Sequence, residues 1–352
     1  MTQPAETAAD PSLKRYERQI SYPAWGRESQ EKLSRSTALV VGVGALGSVI
    51  ANTLARAGVG TLRIVDRDFL EWNNLQRQVL YTEEDVRNHL PKAVVAERHL
   101  REINSEITIE AIVADVDYGN ITQLCEGVDV IVDGTDNFEI RFLLNDASLK
   151  FGIPWVYGGC LGAEGQTMTI LPGKTPCLRC IISDAPPPGT TPTCDTAGIM
   201  ASIINVIASI QSLEAMKIMA GQLDQVSGTL DVIDLWYNRM RPVKLGDSAQ
   251  SKTCPACGQG DYEWLRGERG GQSAILCGRN AVQLSFSQGE PVDLQSLAKQ
   301  LEAVGKVTVN PFLLRLTVDE YTLTLFPDRR CIVSGTDDPV QARAIHARYI
   351  GS

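Results

Sequence analysis

The segment from Thr37 to Asp66 constrains this chain more than any other. Thr37 to Val43 is a β-branched, apolar run that ends in Gly42-Val-Gly44-Ala-Leu-Gly47. Ser48 to Ala57 then has helical character and stops at Gly58, and Thr61 to Val65 is a second strand closed by Asp66. A glycine turn between a strand and a helix leaves the first helical N–H groups unpaired, and they favour phosphate; the glycines let a ligand come close to the backbone. A carboxylate about 20 residues further on, ending the next strand, is placed to bond ribose hydroxyls. A purely structural glycine turn is the alternative, less favoured in this strand–loop–helix–acid context. The pattern predicts a nucleotide held by Gly42, Gly44, Gly47 and Asp66 in a Rossmann-like α/β fold. By itself, its default meaning is an NAD-dependent oxidoreductase of Rossmann type.

The rest of the chain extends that frame. Lys92 to Asn104 reads as a helix, and Ile107 to Val113 and Val128 to Val132 read as strands. Alternation of buried strands and amphipathic helices predicts a doubly wound, mostly parallel sheet. Further strands are expected at Gln166 to Leu171 and Leu230 to Leu235. A helix over Ala197 to Ala220, apolar nearly all round, is expected to be buried. Pro186-Pro-Pro-Gly-Thr-Thr-Pro-Thr cannot form regular structure and is long enough for a lid. The domain reading is a disordered N-terminus over 1–12, a large nucleotide-binding α/β domain over 13–262, a linker over 263–272 and a small α+β domain over 273–352. In the last, Leu313 to Val318 and Tyr321 to Phe326 read as strands around a turn, and Asp293 to Ala303 and Pro339 to Tyr349 as helices.

Composition narrows the function. With 352 residues and 43% hydrophobic content the chain can bury a large core. A net charge of −9 argues against a general nucleic-acid binder. No run reads as a membrane span or a signal core, so the expected location is the cytoplasm. There, the nine cysteines serve metal binding and catalysis better than disulfides.

The residues after Asp66 separate the phosphate chemistries. They read Asp66-Arg-Asp68-Phe-Leu-Glu-Trp-Asn-Asn74-Leu-Gln-Arg77-Gln78. A dehydrogenase has no need of Asn74, Arg77 and Gln78 here, whereas a phosphoryl site does, because Arg77 can fork onto phosphate oxygens. Lys92 adds a second cation near a helix start. Asp136, past the strand Val128 to Val132, falls at the sheet edge where ligands bind. A lone aspartate there would read as a helix cap. With Asn137 beside it and two cations upstream, it reads as a Mg²⁺ ligand beside ATP. The three histidines, His89, His99 and His346, lie outside these motifs and read as solvated or helix-face residues.

These motifs, with Arg15-Tyr-Glu-Arg18-Gln, Thr135-Asp136-Asn137 and Thr193-Cys194-Asp-Thr-Ala-Gly, resemble the ThiF/MoeB/HesA family, the bacterial relatives of ubiquitin-activating enzymes. The resemblance covers about residues 13 to 260 and leaves the C-terminal domain outside. It implies an adenylyltransferase in which Asp66 binds the ATP ribose, Asn74, Arg77 and Lys92 hold phosphates, and Asp136 holds Mg²⁺. It implies a homodimer with Arg18 crossing into the partner's site. The substrate implied is a small ubiquitin-like or sulfur-carrier protein, MoaD- or ThiS-like, ending in Gly-Gly. A sulfur donor or a conjugation partner would follow.

Cys177-Leu-Arg-Cys180 and Cys254-Pro-Ala-Cys257 form two knuckles whose four thiolates suit a closed zinc site; the family resemblance strengthens that reading. The alternative is two reduced thiol pairs or a redox pair. Cys194, before a helix expected near Ala197, suits a nucleophile that takes the acyl group from an adenylate. Cys125, Cys160, Cys277 and Cys331 read as small packing residues, with Cys160 also a candidate neighbour of the active site. The C-terminal domain lacks the Gly/Arg-rich cysteine loop of a rhodanese and reads as a partner-docking module.

Overall fold

The structure is a computed structural model that describes residues 11–186, 194–245, 252–269, 273–276, 280–284 and 291–350. It divides into two compact units.

The larger unit, residues 1–184 with 200–266, is built on one eight-stranded sheet. Its strands are β1 (Thr37–Val41), β2 (Thr61–Val65), β3 (Thr108–Ile112), β4 (Val130–Asp133), β5 (Trp155–Leu161), β6 (Glu164–Ile170), β7 (Thr229–Asp234) and β8 (Arg239–Lys244). The order is β3-β2-β1-β4-β5-β6-β7-β8. The first five run parallel, and β6 to β8 are joined antiparallel. The chain leaves β1 toward β2 and β3, then returns to β4 on the other side. That reversal opens a crevice at the C-terminal ends of β1 and β4, where doubly wound sheets take their ligands.

Helices cover both faces. Helix Ala45–Ala57 packs on helix Ala201–Met219, which also lies on β4, β5 and β6. Gly158 and Gly165 admit that long helix, since a Cβ on them would meet Gln211 at 2.4 Å and Ile207 at 2.5 Å. Tyr157, one residue earlier on β5, packs instead under Arg141 of helix Phe138–Phe151. Adjacent strand residues point to opposite faces, so the two helices sandwich β5. Helix Phe138–Phe151 is not anticipated by the sequence reading. Its bounds are nonetheless marked there: Asn137 caps its start, and Gly152, at φ +70°, ends it.

The long apolar helix begins later than the sequence reading places it. A four-residue turn, Cys194–Ala197, comes first, then Gly198 at φ +78° breaks the helical path, and the helix starts at Ala201. Met200 N–H bonds Gly162 O at 2.8 Å, which fixes the restart on the β5–β6 turn. Residues 187–193, which carry most of the expected Pro-rich loop, lie outside the described residues, as does Cys277.

The smaller unit comprises residues 267–352 with 185–199. It holds a six-stranded antiparallel sheet of β9 (Ser273–Leu276), β10 (Ala281–Leu284), β11 (Lys306–Val309), β12 (Leu314–Val318), β13 (Tyr321–Leu325) and β14 (Cys331–Ser334). Their order is β11-β12-β13-β14-β10-β9. The expected turn at Asp319-Glu320 joins β12 to β13, with Asp319 at φ +50°. Leu314, Leu316, Leu323, Leu325, Cys331 and Val333 alternate onto one buried face with residues of helices Leu294–Leu301 and Pro339–Tyr349. Asp293 and Asp338 cap those helices. Among the described residues, no helix is long and apolar enough to cross a membrane.

Candidate active site

The glycine turn is dictated first by its own backbone. Gly42 has φ +82°, and a Cβ on it would sit 2.9 Å from Gly134 O. A Cβ on Gly47 would lie 1.8 Å from Gly42 O, so the helix can approach the strand only with glycine there. Gly44 is different. A Cβ on it would meet only Gln78 Nε2, at 3.7 Å, so packing within the protein does not demand glycine. What its missing side chain leaves is open space at the helix start. Gln78 is buried beside that space, and its Oε1 has no partner among the described residues. An open N-terminal turn next to an orphaned buried polar atom fits a phosphate-bearing ligand.

Asp66 lies at the adjacent strand end. Its Oδ2 accepts from Val43 N–H at 2.8 Å and its Oδ1 from Asp68 N–H at 2.7 Å. These bonds hold the carboxylate rigidly and leave each oxygen a further lone pair for ribose. Burial pushes its pKa up; the Lys92 charge pulls it down and Asp68 pushes it up again. Lys92 is itself buried, with Nζ 3.2 Å from Asp68 Oδ2. The chain carrying Lys92 is laid alongside Asp68 by a bridge between Phe69 and Pro91 and by Lys92 N–H to Asp68 O at 2.9 Å. Tyr81 closes the arrangement, its hydroxyl donating to Val43 O at 2.7 Å. Burial and the nearby carboxylates raise its pKa well above the ordinary phenol value, so it stays a donor.

Asn74 and Arg77 stand in the connecting segment. Asn74 is buried; its Oδ1 accepts from Glu71 N–H at 3.1 Å and its Nδ2 donates to Asn73 Oδ1 at 2.9 Å. Arg77 is half-buried, and one Nη donates to Asn73 O at 2.6 Å.

On the other side of the crevice, Asp136 is exposed at the end of the turn after β4. Asn137 Oδ1 accepts from Glu139 N–H at 2.8 Å, so that side chain is committed to capping. Behind the turn, the fully buried Asp133 pairs with Arg141 at 3.2 Å. Arg67 is forked onto both Asp115 oxygens, at 2.9 and 3.1 Å. The charge of Asp136 reaches both arginines and helps keep them protonated, against the burial that lowers them. The sequence reading passes over Asp68, Tyr81, Asp133 and Arg141. Asp68 is the easiest to find, standing two residues after Asp66.

The four knuckle cysteines converge. Cys177, Cys180, Cys254 and Cys257 place all four Sγ atoms within 4.8 Å of one another. Neighbouring pairs lie 3.8, 3.7 and 3.4 Å apart. A tetrahedral ion with bonds of roughly 2.3 Å needs sulfurs about 3.8 Å apart, so the set fits such a metal. Burial and the neighbouring thiols push Cys177 far above an ordinary thiol.

Two predicted residues stand apart. Arg18 is exposed in the short helix Glu17–Ile20. Its neighbours Tyr16 and Gln19 anchor that arm at the far end of helix Ala45–Ala57. A Cβ on Gly58 would meet the Tyr16 ring at 2.4 Å, and Gln19 Nε2 bonds Ala57 O at 3.2 Å. Cys194 opens its four-residue turn, and its side chain lies outside the described residues. Of the other cysteines, Cys125 and Cys331 are buried, while Cys160 Sγ sits 4.0 Å from Ile203 O.

The fold has counterparts among known proteins. The ThiF family matches residues 16–256, and the chain belongs to that family. It is 43% identical over 338 residues to the sulfur carrier protein ThiS adenylyltransferase of Bacillus subtilis, covering 96% of this chain and 99% of that protein. It is 39% identical to the SAMP-activating enzyme E1 of Haloferax volcanii, over 71% of this chain and 91% of that one. Among solved structures, that of E. coli MccB with ATP aligns with a TM-score of 0.59 and 25% identity, over 70% of this chain and 74% of MccB. The Bacillus match spans too much of the chain to leave the C-terminal unit out. The ThiF family match itself ends at residue 256, close to the end of the sequence resemblance at about residue 260.

Proposed function

We propose that this adenylyltransferase of the ThiF family activates the C-terminal glycine of a small, ThiS-type sulfur carrier ending in Gly-Gly, using ATP and Mg²⁺. The observation that carries the reading is the gathering of Asp66, Lys92 and the unpartnered Gln78 oxygen around the opening at Gly44. A nicotinamide enzyme has no use for a buried lysine at that point. The choice of a ThiS-type carrier rests on the near full-length match to the Bacillus enzyme.

The chemistry asks little of acids and bases. A carrier carboxylate oxygen attacks the α-phosphorus, the bond to the β-phosphate oxygen breaks, and pyrophosphate leaves. Negative charge spreads over phosphate oxygens, so catalysis needs cations and positioning. Lys92 and Arg77 supply fixed charge, the Gly42–Gly47 turn orients the phosphates, and Asp66 fixes the ribose. Asp136 would hold Mg²⁺, which when bound neutralises phosphate charge. A sulfur nucleophile then displaces AMP from the acyl-adenylate, and Cys194 is our candidate for receiving the acyl group. Zinc is the proposed ion for the four cysteines, and the cytoplasm the proposed location.

Arg18 is assigned to the partner subunit's site of a homodimer. Its arm is anchored at one end of a thirteen-residue helix and the glycine turn lies at the other. Such a helix is about 20 Å long, more than an arginine side chain spans. Mixing Arg18→Ala and Asp136→Ala proteins, each inactive alone, is expected to restore partial activity; confirmed heterodimers without recovery would remove the trans assignment.

ATP–pyrophosphate exchange tests the main reading. Exchange should depend on both Mg²⁺ and a ThiS-type carrier. NAD binding with no exchange, in the presence of such carriers, would sink it.

A further inference from the structure

We propose that Arg141 is a positioning residue for the reaction: it fixes the turn from which Asp136 projects and thereby sets the Mg²⁺ requirement. The inference rests on the reading of Asp136 as the Mg²⁺ ligand.

Arg141 is buried and joins three separate pieces of backbone or side chain. Its Nε reaches Asp133 Oδ2 at 3.2 Å, and one Nη donates to Thr135 O at 2.7 Å and to Gly158 O at 3.0 Å. Those acceptors belong to the end of β4, the following turn and β5. Only a planar fork of several N–H groups can span them; a lysine is a single point. Its orientation is fixed further by the Tyr157 and Phe138 rings, 5.3 and 5.5 Å from the guanidinium carbon.

Thr135 is consequently held at every polar group it has. Its N–H and Oγ1 donate to Asp133 Oδ1 at 2.8 and 2.7 Å, and its carbonyl accepts from Arg141. On the other side, Asn137 is held by capping Glu139. Asp136 stands between two fixed residues and is itself exposed. A side chain aimed into solvent from a turn this constrained is preorganised for a ligand that comes and goes. A buried ion pair is a weak source of stability compared with an apolar pair of similar size. The Asp133–Arg141 pair is better accounted for by the geometry it imposes than by the energy it adds.

The test replaces the pair by neutral amides, Asp133→Asn with Arg141→Gln, so that no buried charge is stranded. The readouts are the Mg²⁺ concentration at half-maximal ATP–pyrophosphate exchange, the KM for ATP at saturating Mg²⁺, and the melting temperature. The half-saturating Mg²⁺ should rise roughly tenfold with KM for ATP nearly unchanged, the scale of a mispositioned site. Asp136→Glu, which keeps a carboxylate but moves it, should raise the Mg²⁺ requirement as well, and adding it to that background should change little, because both substitutions displace the same ligand. If the double variant does not fold, Arg141→Lys serves: it keeps the charge, loses the span and should raise the Mg²⁺ requirement in the same direction. The inference is overturned if Asp136→Glu shifts the Mg²⁺ requirement while the Arg141 variants do not. If Asp136→Asn leaves it unchanged, the Mg²⁺ reading of Asp136 fails and takes the inference with it.

Discussion

The start and the middle of helix Phe138–Phe151 do opposite work. At its start, Asn137 and Arg141 fix a turn that presents the exposed Asp136. Further along, Asn145 and Asp146 reach backwards into the fold. Asn145 Oδ1 accepts Leu178 N–H at 2.8 Å, within the first cysteine knuckle, and Asp146 Oδ2 accepts Trp264 N–H at 3.0 Å, just after the second. Phe142 packs on the Trp264 ring, 5.4 Å between centroids. One end leaves a charged group free to take up a transient ligand. The middle is filled by permanent internal partners. Damage at the first should therefore cost activity, and damage at the second should cost stability.

Four substitutions sharpen that contrast. The largest effect belongs to the thiol cluster. Cys254→Ser should release the metal and cost several kcal/mol of stability, below the ~10 kcal/mol scale of wholly metal-dependent domains. Metal analysis with thermal unfolding checks it, and retained metal at an unchanged melting temperature would break the comparison. Next comes Lys92→Ala, which should lower exchange by roughly 100-fold or more, with a lower melting temperature as well, because the Asp66 and Asp68 carboxylates lose their neighbouring cation.

Asp146 is the third case. Burial raises its carboxyl to about 6 from an ordinary 3.8, against the Trp264 and Leu265 N–H groups that lower it. A raised carboxyl favours the folded state in its protonated form. Its contribution to stability therefore grows as pH falls through about 6 toward 4, by at most about 3 kcal/mol. Asp146→Asn should flatten that part of the stability–pH curve with little effect on exchange at neutral pH. A curve of unchanged slope would show that the carboxyl does not titrate there. The smallest effect is expected of Tyr81→Phe, which removes one bond to Val43 O. It should weaken ATP binding by about 1 kcal/mol, visible in KM rather than kcat.

Much of the nucleotide side was legible in the sequence because its determinants are local. Gly47 is forced by a backbone contact with Gly42 within one turn, Asp66 closes a strand, and Lys92 follows a proline at a helix start. The thiol cluster was legible because each knuckle is a close pair. Helix Phe138–Phe151 was not, since Asn145, Asp146 and Ser148 are polar and yet buried, which blurs its apolar stripe. Their reason lies in partners such as Leu178 and Trp264, far away in sequence. Arg141 was missed for the same cause: its acceptors lie on three separate segments. The interrupted path at Gly198 turns on one residue's positive φ, which composition does not reveal. In the C-terminal unit only β12, β13 and the two helices stood out. Strands β9, β10 and β14 are four residues each, too short to show a period.

The central claim is that ATP's α-phosphorus is transferred onto a carrier carboxylate at the Gly42–Gly47 turn. Its most direct test is the intact mass of a ThiS-type carrier after incubation with the enzyme, ATP and Mg²⁺, without any sulfur source. Carrier bearing one added AMP, present with the parent enzyme and lost with Lys92→Ala, is the predicted result. Unmodified carrier in both samples, under conditions where the enzyme binds ATP, would contradict it.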